Sequence, residues 1–296
     1  MFYVFLSICF SVVVSIFLKL ARRYQIDVFQ AITWNYSIAI LLTWIIYRPK
    51  LPSLQDAPLL NYSLLGFLFP ALFIVIAIAV RKTGIVRTEV AQRLSLFIPI
   101  VAAFLLFGEK ATLISIIGIA LGFVAIIGSI PWGKRDLNGR RSGNSWIYLL
   151  IVFVGMGIID VLLKKVAAFK AVPFTTSLFV IFILAFLLSL MRLFYLVFTK
   201  KSKFSWPHII IGWILGVANF GNILFYLKAH QALANHPSVV FSAMNIGVII
   251  FGSLVGLLVF REKLSRLNLA GIVLAIIAIV VISFPGFFEH LIALAL

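Results

Sequence analysis

The chain has 296 residues, of which 64% are hydrophobic and only 11% are charged. Soluble domains carry about 25% charged residues, so this composition, with a mean hydropathy of +1.19, excludes a soluble enzyme, a nucleic-acid-binding domain and a disordered protein. The net charge of +17 comes from Lys and Arg in short segments between apolar runs, where such residues set membrane topology. The sequence therefore predicts a multi-pass integral membrane protein, typical of a bacterial cell membrane, whose partners are lipid and a small solute and not nucleic acid.

Apolar runs long enough to cross a bilayer recur along the whole chain. In chain order they predict ten helices at residues 2–20, 28–47, 59–80, 88–107, 111–130, 146–167, 173–198, 207–228, 237–260 and 267–284. The first run has no basic segment before it and no small-residue cleavage pattern, so we interpret it as a retained span. The longest connection, 131–145, is polar and divides the chain nearly in half.

An internal repeat relates the two halves. Phe107-Gly108-Glu109-Lys110 recurs as Phe260-Arg261-Glu262-Lys263, and the same offset of 153 gives nine identities in 22 positions. The prediction is an all-α protein of ten transmembrane helices in two five-helix repeats, 1–130 and 146–284, with a linker at 131–145 and a tail at 285–296. An odd number of spans inverts the second repeat, an arrangement typical of secondary transporters.

These motifs also resemble those of a known family. Each half ends in F-x-E-K, a short hairpin and a glycine-rich last helix, and the second half carries Lys228-Ala229-His230-Gln231-Ala232-Leu233 followed by Pro237. This pattern is similar to that of the EamA-type transporters of the drug/metabolite transporter superfamily. The resemblance implies a ten-helix solute transporter, and not an enzyme, but it does not specify the solute, and the chain would be a monomer or a homodimer.

The repeated acidic motif has two interpretations. Glu109 and Glu262, with Lys110 and Lys263 beside them, stand where a helix ends in a tight turn. We expect each glutamate to fix the hairpin by pairing with a neighbouring cation or by capping the next helix. Direct contact with a solute is the alternative.

Polar residues inside apolar helices are the candidates for solute binding, because each is costly in a membrane. Arg93 could bind an anionic group or extend to the interface, and the asparagines could bind solute or join helices. Trp34 could instead lie in an interfacial aromatic belt. The predicted substrate-binding set is Arg93, Gln92, Asn219, Asn222, Tyr226, Asn245, Trp34 and Asn35.

Asp160 is the only acid predicted within a span, and Lys164 follows it one helical turn later. The two side chains can form a neutralised pair, or they can serve in gating or proton coupling. The four histidines have no metal-binding spacing and Cys9 is the only cysteine, so the sequence predicts neither a metal site, nor a disulfide, nor a cofactor.

The favoured function is a secondary transporter of a small metabolite by alternating access. More cations than acids are predicted within the spans, which favours an amino acid or an organic anion. A proton-coupled exporter of cationic drugs and, far less favoured, a membrane-embedded enzyme are the alternatives.

The placement of the cavity and the orientation of the chain can be predicted as well. Gly118, Gly122, Gly271 and Ala275 predict close packing of helices 5 and 10, and we expect the solute cavity between helices 1–4 and 6–9. Sixteen Lys and Arg flank the odd-numbered connections and seven the even-numbered ones. This bias favours both termini outside the cell, whereas the family resemblance implies the reverse.

Overall fold

A computed structural model describes residues 1–23, 26–49, 57–83, 88, 91–92, 94–110, 112–129, 146–199, 204–259, 266–284 and 286–288. These residues are helical or lie in turns, and none of them forms a strand. The helices of nine or more residues within these ranges are α1 (Phe2–Arg23), α2 (Val28–Tyr47), α3 (Leu59–Thr83), α4 (Phe97–Leu105), α5 (Leu113–Ser129), α6 (Trp146–Ala168), α7 (Phe174–Phe198), α8 (Trp206–Ala232), α9 (Pro237–Leu258) and α10 (Arg266–Ser283).

The prediction of an all-helical membrane protein is confirmed. Of the ten predicted spans, six are supported by the length and composition of the described helices. Six of the helices in the described ranges, α2, α3, α6, α7, α8 and α9, are long and apolar enough to cross a membrane. The described apolar stretches of α1, α5 and α10 are shorter, and of the fourth predicted span, 88–107, the continuous described helix is Phe97–Leu105. The linker at 131–145 lies outside the described residues, as does the tail except for 286–288.

Local chemistry explains several helix ends. The Asp27 carboxylate accepts hydrogen bonds from the backbone N–H groups of Phe29 and Gln30 and so caps α2. Prolines stand in the first turns of α8 and α9, where no intrahelical N–H bond is lost. After α4, Gly108 has a φ of 67°, which a residue without Cβ adopts at little cost.

Three helices run three or more residues beyond their predicted ends because backbone hydrogen bonding does not stop where the apolar run stops. The helix α1 continues past 20 to Arg23. The helix α8 continues four residues past the predicted end at 228, as far as Ala232. The helix α3 continues past 80 to Thr83. Polar side chains at a helix end can extend into the interface, so the limit of the apolar run underestimates the length of the helix.

The helices pack mainly across the two halves of the chain. In the described structure α8 packs against α1 and α2, α3 packs against α6 and α7, α2 meets α7, and α5 meets α10. Exchanging each helix with the one five places along the chain turns the α2–α8 pair into α7–α3 and the α1–α8 pair into α6–α3. The observed contacts are thus those that two halves related by a two-fold axis would make.

The interior of the bundle is apolar with a few satisfied polar bonds. The largest fully buried side chains include Tyr36, Tyr62, Phe182 and Phe241, and the Tyr62 hydroxyl forms a 2.6 Å hydrogen bond with that of Ser177. Many large apolar side chains point outward instead. An exterior of this kind is suited to contact with lipid.

Candidate functional site

The site begins where α8 approaches α2 through two glycines. A Cβ atom at Gly212 would lie 2.6 Å from the Ala31 carbonyl oxygen, and one at Gly216 would lie 2.6 Å from the Asn35 carbonyl oxygen. Only residues without a side chain fit so close to a neighbouring backbone. The Gly212–Gly216 pair therefore brings the next turns of α8, on the same face, into the centre of the bundle.

That face carries three members of the predicted substrate-binding set, Asn219, Asn222 and Tyr226, whose spacing of three and four residues aligns them along one side of the helix. Asn219 borders a narrow gap together with Asn35, Ile32 and Phe73, and the gap is too narrow to hold a water molecule. The Ser7 hydroxyl of α1 lies 2.9 Å from both the side-chain oxygen and the backbone carbonyl oxygen of Asn222 and shares its one hydrogen between them.

The third residue of the line reaches α6. The Tyr226 hydroxyl donates to Asp160 Oδ1 at 3.0 Å. The line on α8 thus contacts α1, α2 and α6, so groups that are distant in sequence meet along one helix.

Asp160 and Lys164 do not form the pair that their spacing suggested. The Lys164 ammonium donates instead to the carbonyl oxygens of His230 at 3.3 Å and of Ala234 at 3.0 Å. The end of a helix exposes carbonyl groups that attract a cation. The Lys164 ammonium therefore bonds to the carbonyl groups at the end of α8 and not to the Asp160 carboxylate one turn away on α6. The local-pair interpretation was therefore wrong, and each side chain links α6 to α8 separately.

Glu109 caps a helix, but the helix belongs to the other half of the chain. Its carboxylate accepts hydrogen bonds from the Ser238 backbone N–H at 2.8 Å and from the Ser238 hydroxyl at 2.6 Å, at the start of α9. The expectation of a cap on the next helix was wrong in its target, because α4 ends beside the start of α9 and not against α5. Lys110 is exposed, and Glu262 and Lys263 lie outside the described residues.

These contacts form one cluster where α8 ends and α9 begins. We call it the α8–α9 cluster: Glu109, Lys164, Ser238 and the carbonyl groups of His230 and Ala234. It joins α4, α6, α8 and α9 through charged groups, and charge-assisted hydrogen bonds are roughly twice as strong as neutral ones. Polar bonds therefore join these helices at this end of the described bundle.

His230 is a member of this region that sequence reasoning missed. Its ring is 1% exposed and lies between the rings of Tyr226 and Phe241, at centroid distances of 4.6 and 4.7 Å. Neither ring nitrogen has a hydrogen-bond partner among the described residues. The spacing of four residues from Tyr226 was the available signal, since it puts both rings on one helix face.

The other predicted residues are less centrally placed. Asn245 donates to the Phe241 carbonyl oxygen of its own helix at 3.1 Å, and the Gln92 carbonyl oxygen accepts a bond from the Ser95 hydroxyl. Trp34 packs on Phe186, and its buried indole nitrogen has no partner in the described structure. Arg93 lies outside the described residues.

The described histidines, cysteine and acids do not form a group that could hold a metal ion. The polar face of α8 and its side-chain partners comprise amides, hydroxyls and one carboxylate, that of Asp160. Such groups can exchange hydrogen bonds with a solute, and several of them lie at the depth of apolar helices, where they are unusual.

Comparison with known proteins agrees with this architecture. A model of the EamA-like transporter family matches residues 1–130 and 143–284. A protein of Haemophilus influenzae, itself described only as uncharacterized, is 40% identical over 285 residues that cover 93% of this chain and 95% of the relative. The matched residues include nearly every helix described above, in two successive repeats. The chain belongs to the EamA-like transporter family.

Proposed function

We propose that this protein is a secondary transporter that moves a small metabolite, an amino acid or an organic anion, by alternating access. The observation that carries the proposal is the polar face of α8. Asn219, Asn222 and Tyr226 lie along it within an apolar bundle, beside a gap shared with Asn35. Asn35 is buried and Asn219 is partly buried at this gap, and such amides are a means of recognising the polar part of a solute.

Alternating access requires that one end of the path be closed while the other opens. The α8–α9 cluster supplies the closed end in this proposal, because its bonds join four helices of both halves. Movement of one repeat, 1–130, against the other, 146–284, would break the bonds of Glu109 to Ser238 and open that end. Arg93 is retained as a further proposed contact for an anionic group.

A second function is favoured by one specific observation. Asp160 is a carboxylate inside α6 whose described bond comes from a tyrosine hydroxyl and not from a cation. A carboxylate free of a paired cation could exchange a proton for a cationic solute. Proton-coupled export of cationic compounds is therefore the alternative, and the charge of the accepted solute separates the two functions.

The test is a counterflow assay with the purified full-length chain in lipid vesicles. Vesicles loaded with one unlabelled amino acid, organic acid or cationic dye are diluted into the same labelled compound, and transient accumulation reports exchange. We expect exchange of amino acids or organic acids and none of the dyes. Exchange of the dyes alone would establish the alternative, and no exchange of any compound would contradict a transport function.

A matched pair of variants links this activity to the proposed face. Asn219→Ala should abolish exchange without changing the melting temperature, because the Asn219 side chain borders the gap. Ser115→Ala should leave exchange unchanged, since Ser115 lies on α5 and its hydroxyl bonds only locally to Thr112 in the described structure. Equal exchange by both variants would remove Asn219 from the site.

The charge bias also makes orientation part of the proposal, with both termini outside the cell. A reporter that is active only in the cytoplasm, fused to the carboxyl terminus, should then be inactive. An active reporter would reverse the orientation and leave the transport proposal intact.

A further inference from the structure

A cavity of about 390 Å³ lies between α2, α3 and α7, close to the end of the bundle where α7 ends and α8 begins. This end, which we call the α7–α8 end, is located by contacts between the starts of α2 and α8, including a 3.3 Å bond from the Ser205 backbone N–H to the Gln30 side-chain oxygen. The volume falls in the usual range of small-molecule sites. Ile32 borders both this cavity and the central gap beside Asn219.

The cavity has one cation in its described lining, Arg192 of α7. Arg192 stands six residues before the end of the helix at Phe198, so its Cα lies roughly 9 Å along the helix axis from that end. The guanidinium carbon lies 5.4 Å from the centre of the Phe29 ring. A cation over a ring face is held electrostatically, and this contact turns the guanidinium towards α2 at the wall of the cavity.

The hydroxyl groups of the lining are already engaged as donors. The Thr33 hydroxyl donates to the Phe29 carbonyl oxygen at 3.0 Å, and the Ser189 hydroxyl donates to the Ala185 carbonyl oxygen at 2.7 Å. Each hydroxyl has a single hydrogen. The guanidinium of Arg192 is therefore the only described side chain of the lining with several N–H donors to offer a ligand.

The remaining described wall is apolar and contains no acidic side chain. It includes Phe67, Pro70, Ile74, Leu188 and Leu193. A ligand with a free ammonium group would bury that group without a carboxylate to pair it, which is costly. A carboxylate, in contrast, can receive two parallel N–H bonds from the guanidinium.

We propose that this cavity binds an organic monoanion with an apolar body, its carboxylate on Arg192 and its body against α3 and α7. The site thus selects against zwitterionic amino acids, although both classes fit the function proposed above. That the bound anion is also the transported solute rests on that proposed function, whereas binding itself does not.

The test compares three compounds with nearly the same body and different charge: 3-phenylpropionate, L-phenylalanine and 2-phenylethylamine. Binding to the purified full-length chain is measured by isothermal titration calorimetry in a neutral detergent. We expect 3-phenylpropionate to bind at least about tenfold more tightly than L-phenylalanine, since both offer a carboxylate to Arg192 but only L-phenylalanine must place an ammonium group against a wall without a carboxylate to pair it. The amine should not bind, and equal binding of all three would overturn the proposal.

Two variants locate the binding. Arg192→Gln should weaken binding of 3-phenylpropionate at least about tenfold, and Arg192→Lys should restore part of it, because lysine keeps the charge but not the planar fork. Arg266→Gln, at the exposed start of α10, is the matched control and should bind as the wild type does. If Arg192→Gln does not fold, Ala71→Leu tests the same cavity by filling it. Unchanged binding in a folded variant of either kind would overturn the proposal.

A lipid anion is the competing occupant. Native mass spectrometry of protein extracted from phosphatidylglycerol bilayers would then show bound lipid that Arg192→Gln loses and that 3-phenylpropionate does not displace, and this result would overturn the proposal. Binding without counterflow would contradict the transport function and leave the site standing. Counterflow of other solutes without binding of 3-phenylpropionate would contradict the proposed site and leave the transport function standing.

Discussion

Two helix pairs in this molecule pack closely through small residues, and only one of them carries polar groups at its centre. Gly212 and Gly216 of α8 lie against the backbone of α2, at Ala31 and Asn35. Gly122 of α5 lies against the side chains of Ile246 on α9 and Ala278 on α10.

The α2–α8 pair and the α5–α10 pair differ in the atoms that their glycines touch and in the residues on the neighbouring turns. On α8 the same face continues into Asn219, which borders the central gap, and into Asn222 and Tyr226, which bond to Ser7 of α1 and Asp160 of α6. On α5 and α10 the described central turns are apolar, and neither helix contributes a described residue to the gap or to the cavity. Close packing through glycine is therefore not by itself the sign of a site.

The largest effect is expected from Gly216→Ala. The added Cβ would overlap Cγ2 of the Ile38 side chain, and it would also stand 2.6 Å from the Asn35 carbonyl oxygen and 3.0 Å from the Asn35 Cα. The backbone atoms cannot rotate away as a side chain can. We expect a loss of about 3 kcal/mol, the upper part of the range for overpacking, in a reversible SDS unfolding titration. Gly252→Ala on α9, whose Cβ would meet nothing within 4 Å, is the matched control. Equal stability of the two variants would refute the backbone contact.

A smaller change in stability but a large change in transport is expected from Tyr226→Phe. The variant removes the hydrogen bond to Asp160 and leaves the carboxylate without its described partner, which costs about 1–3 kcal/mol. Counterflow per folded molecule should fall at least about fivefold, since a barrier change of about 1–3 kcal/mol alters a rate by a factor of about 5 to 150.

Tyr62→Phe provides the control for that experiment. Its hydroxyl is also buried and bonded, to Ser177 between α3 and α7, but it lies outside the polar face of α8. This variant should lose comparable stability and keep its transport per folded molecule. If both variants lose transport equally, the hydrogen bond of Tyr226 has only a structural role. The claim that the α2–α8 pair, unlike the α5–α10 pair, acts in transport would then be wrong.

A still smaller effect is expected from the bond between α1 and α8. Ser7→Ala, Asn222→Ala and the double variant form a cycle that isolates the hydrogen bond between the two side chains. Bonds between membrane helices average about 0.6 kcal/mol in such cycles, and we expect a coupling energy of that size in SDS unfolding. A coupling energy indistinguishable from zero would show that Ser7 does not position Asn222.

The polar face of α8 could be predicted from sequence because its information is local. Asn219, Asn222 and Tyr226 recur at helical spacing, so any helix over 207–228 aligns them. The all-helical membrane class is equally direct to predict, from composition and from the length of the apolar runs.

Partners across the bundle could not be predicted in the same way. The link between Asp160 and Tyr226, and that between Glu109 and Ser238, join groups that are 66 and 129 residues apart. Spacing on one helix suggested Lys164 as the partner of Asp160, but the Lys164 ammonium donates instead to carbonyl groups at the end of α8. Such competition depends on packing between helices, which local periodicity does not contain.

The importance of Gly212 and Gly216 was missed for a related reason. Their spacing of four residues is the same small-residue pattern that directed attention to Gly118 and Gly122, and sequence alone does not say whether a glycine meets a backbone or a side chain. The structure distinguishes the two cases, because α2 passes close to α8 at Ala31 and Asn35.

The smallest effect, and the sharpest check of that distinction, is expected from Gly122→Ala. The added Cβ would stand 2.8 Å from Ile246 Cδ1, the terminal atom of a flexible side chain that can move by a χ2 rotation at a cost of about 1 kcal/mol. Exchanging glycine for alanine within a helix returns about 0.5–1 kcal/mol, so the net loss should be below about 0.5 kcal/mol in the SDS titration used for Gly216→Ala. Transport per folded molecule should be unchanged, because Gly122 is remote from the described lining of the gap. A loss as large as that of Gly216→Ala would mean that α5 is as tightly constrained by Ile246 of α9 as α8 is by the α2 backbone, and that the polar face alone distinguishes the two regions.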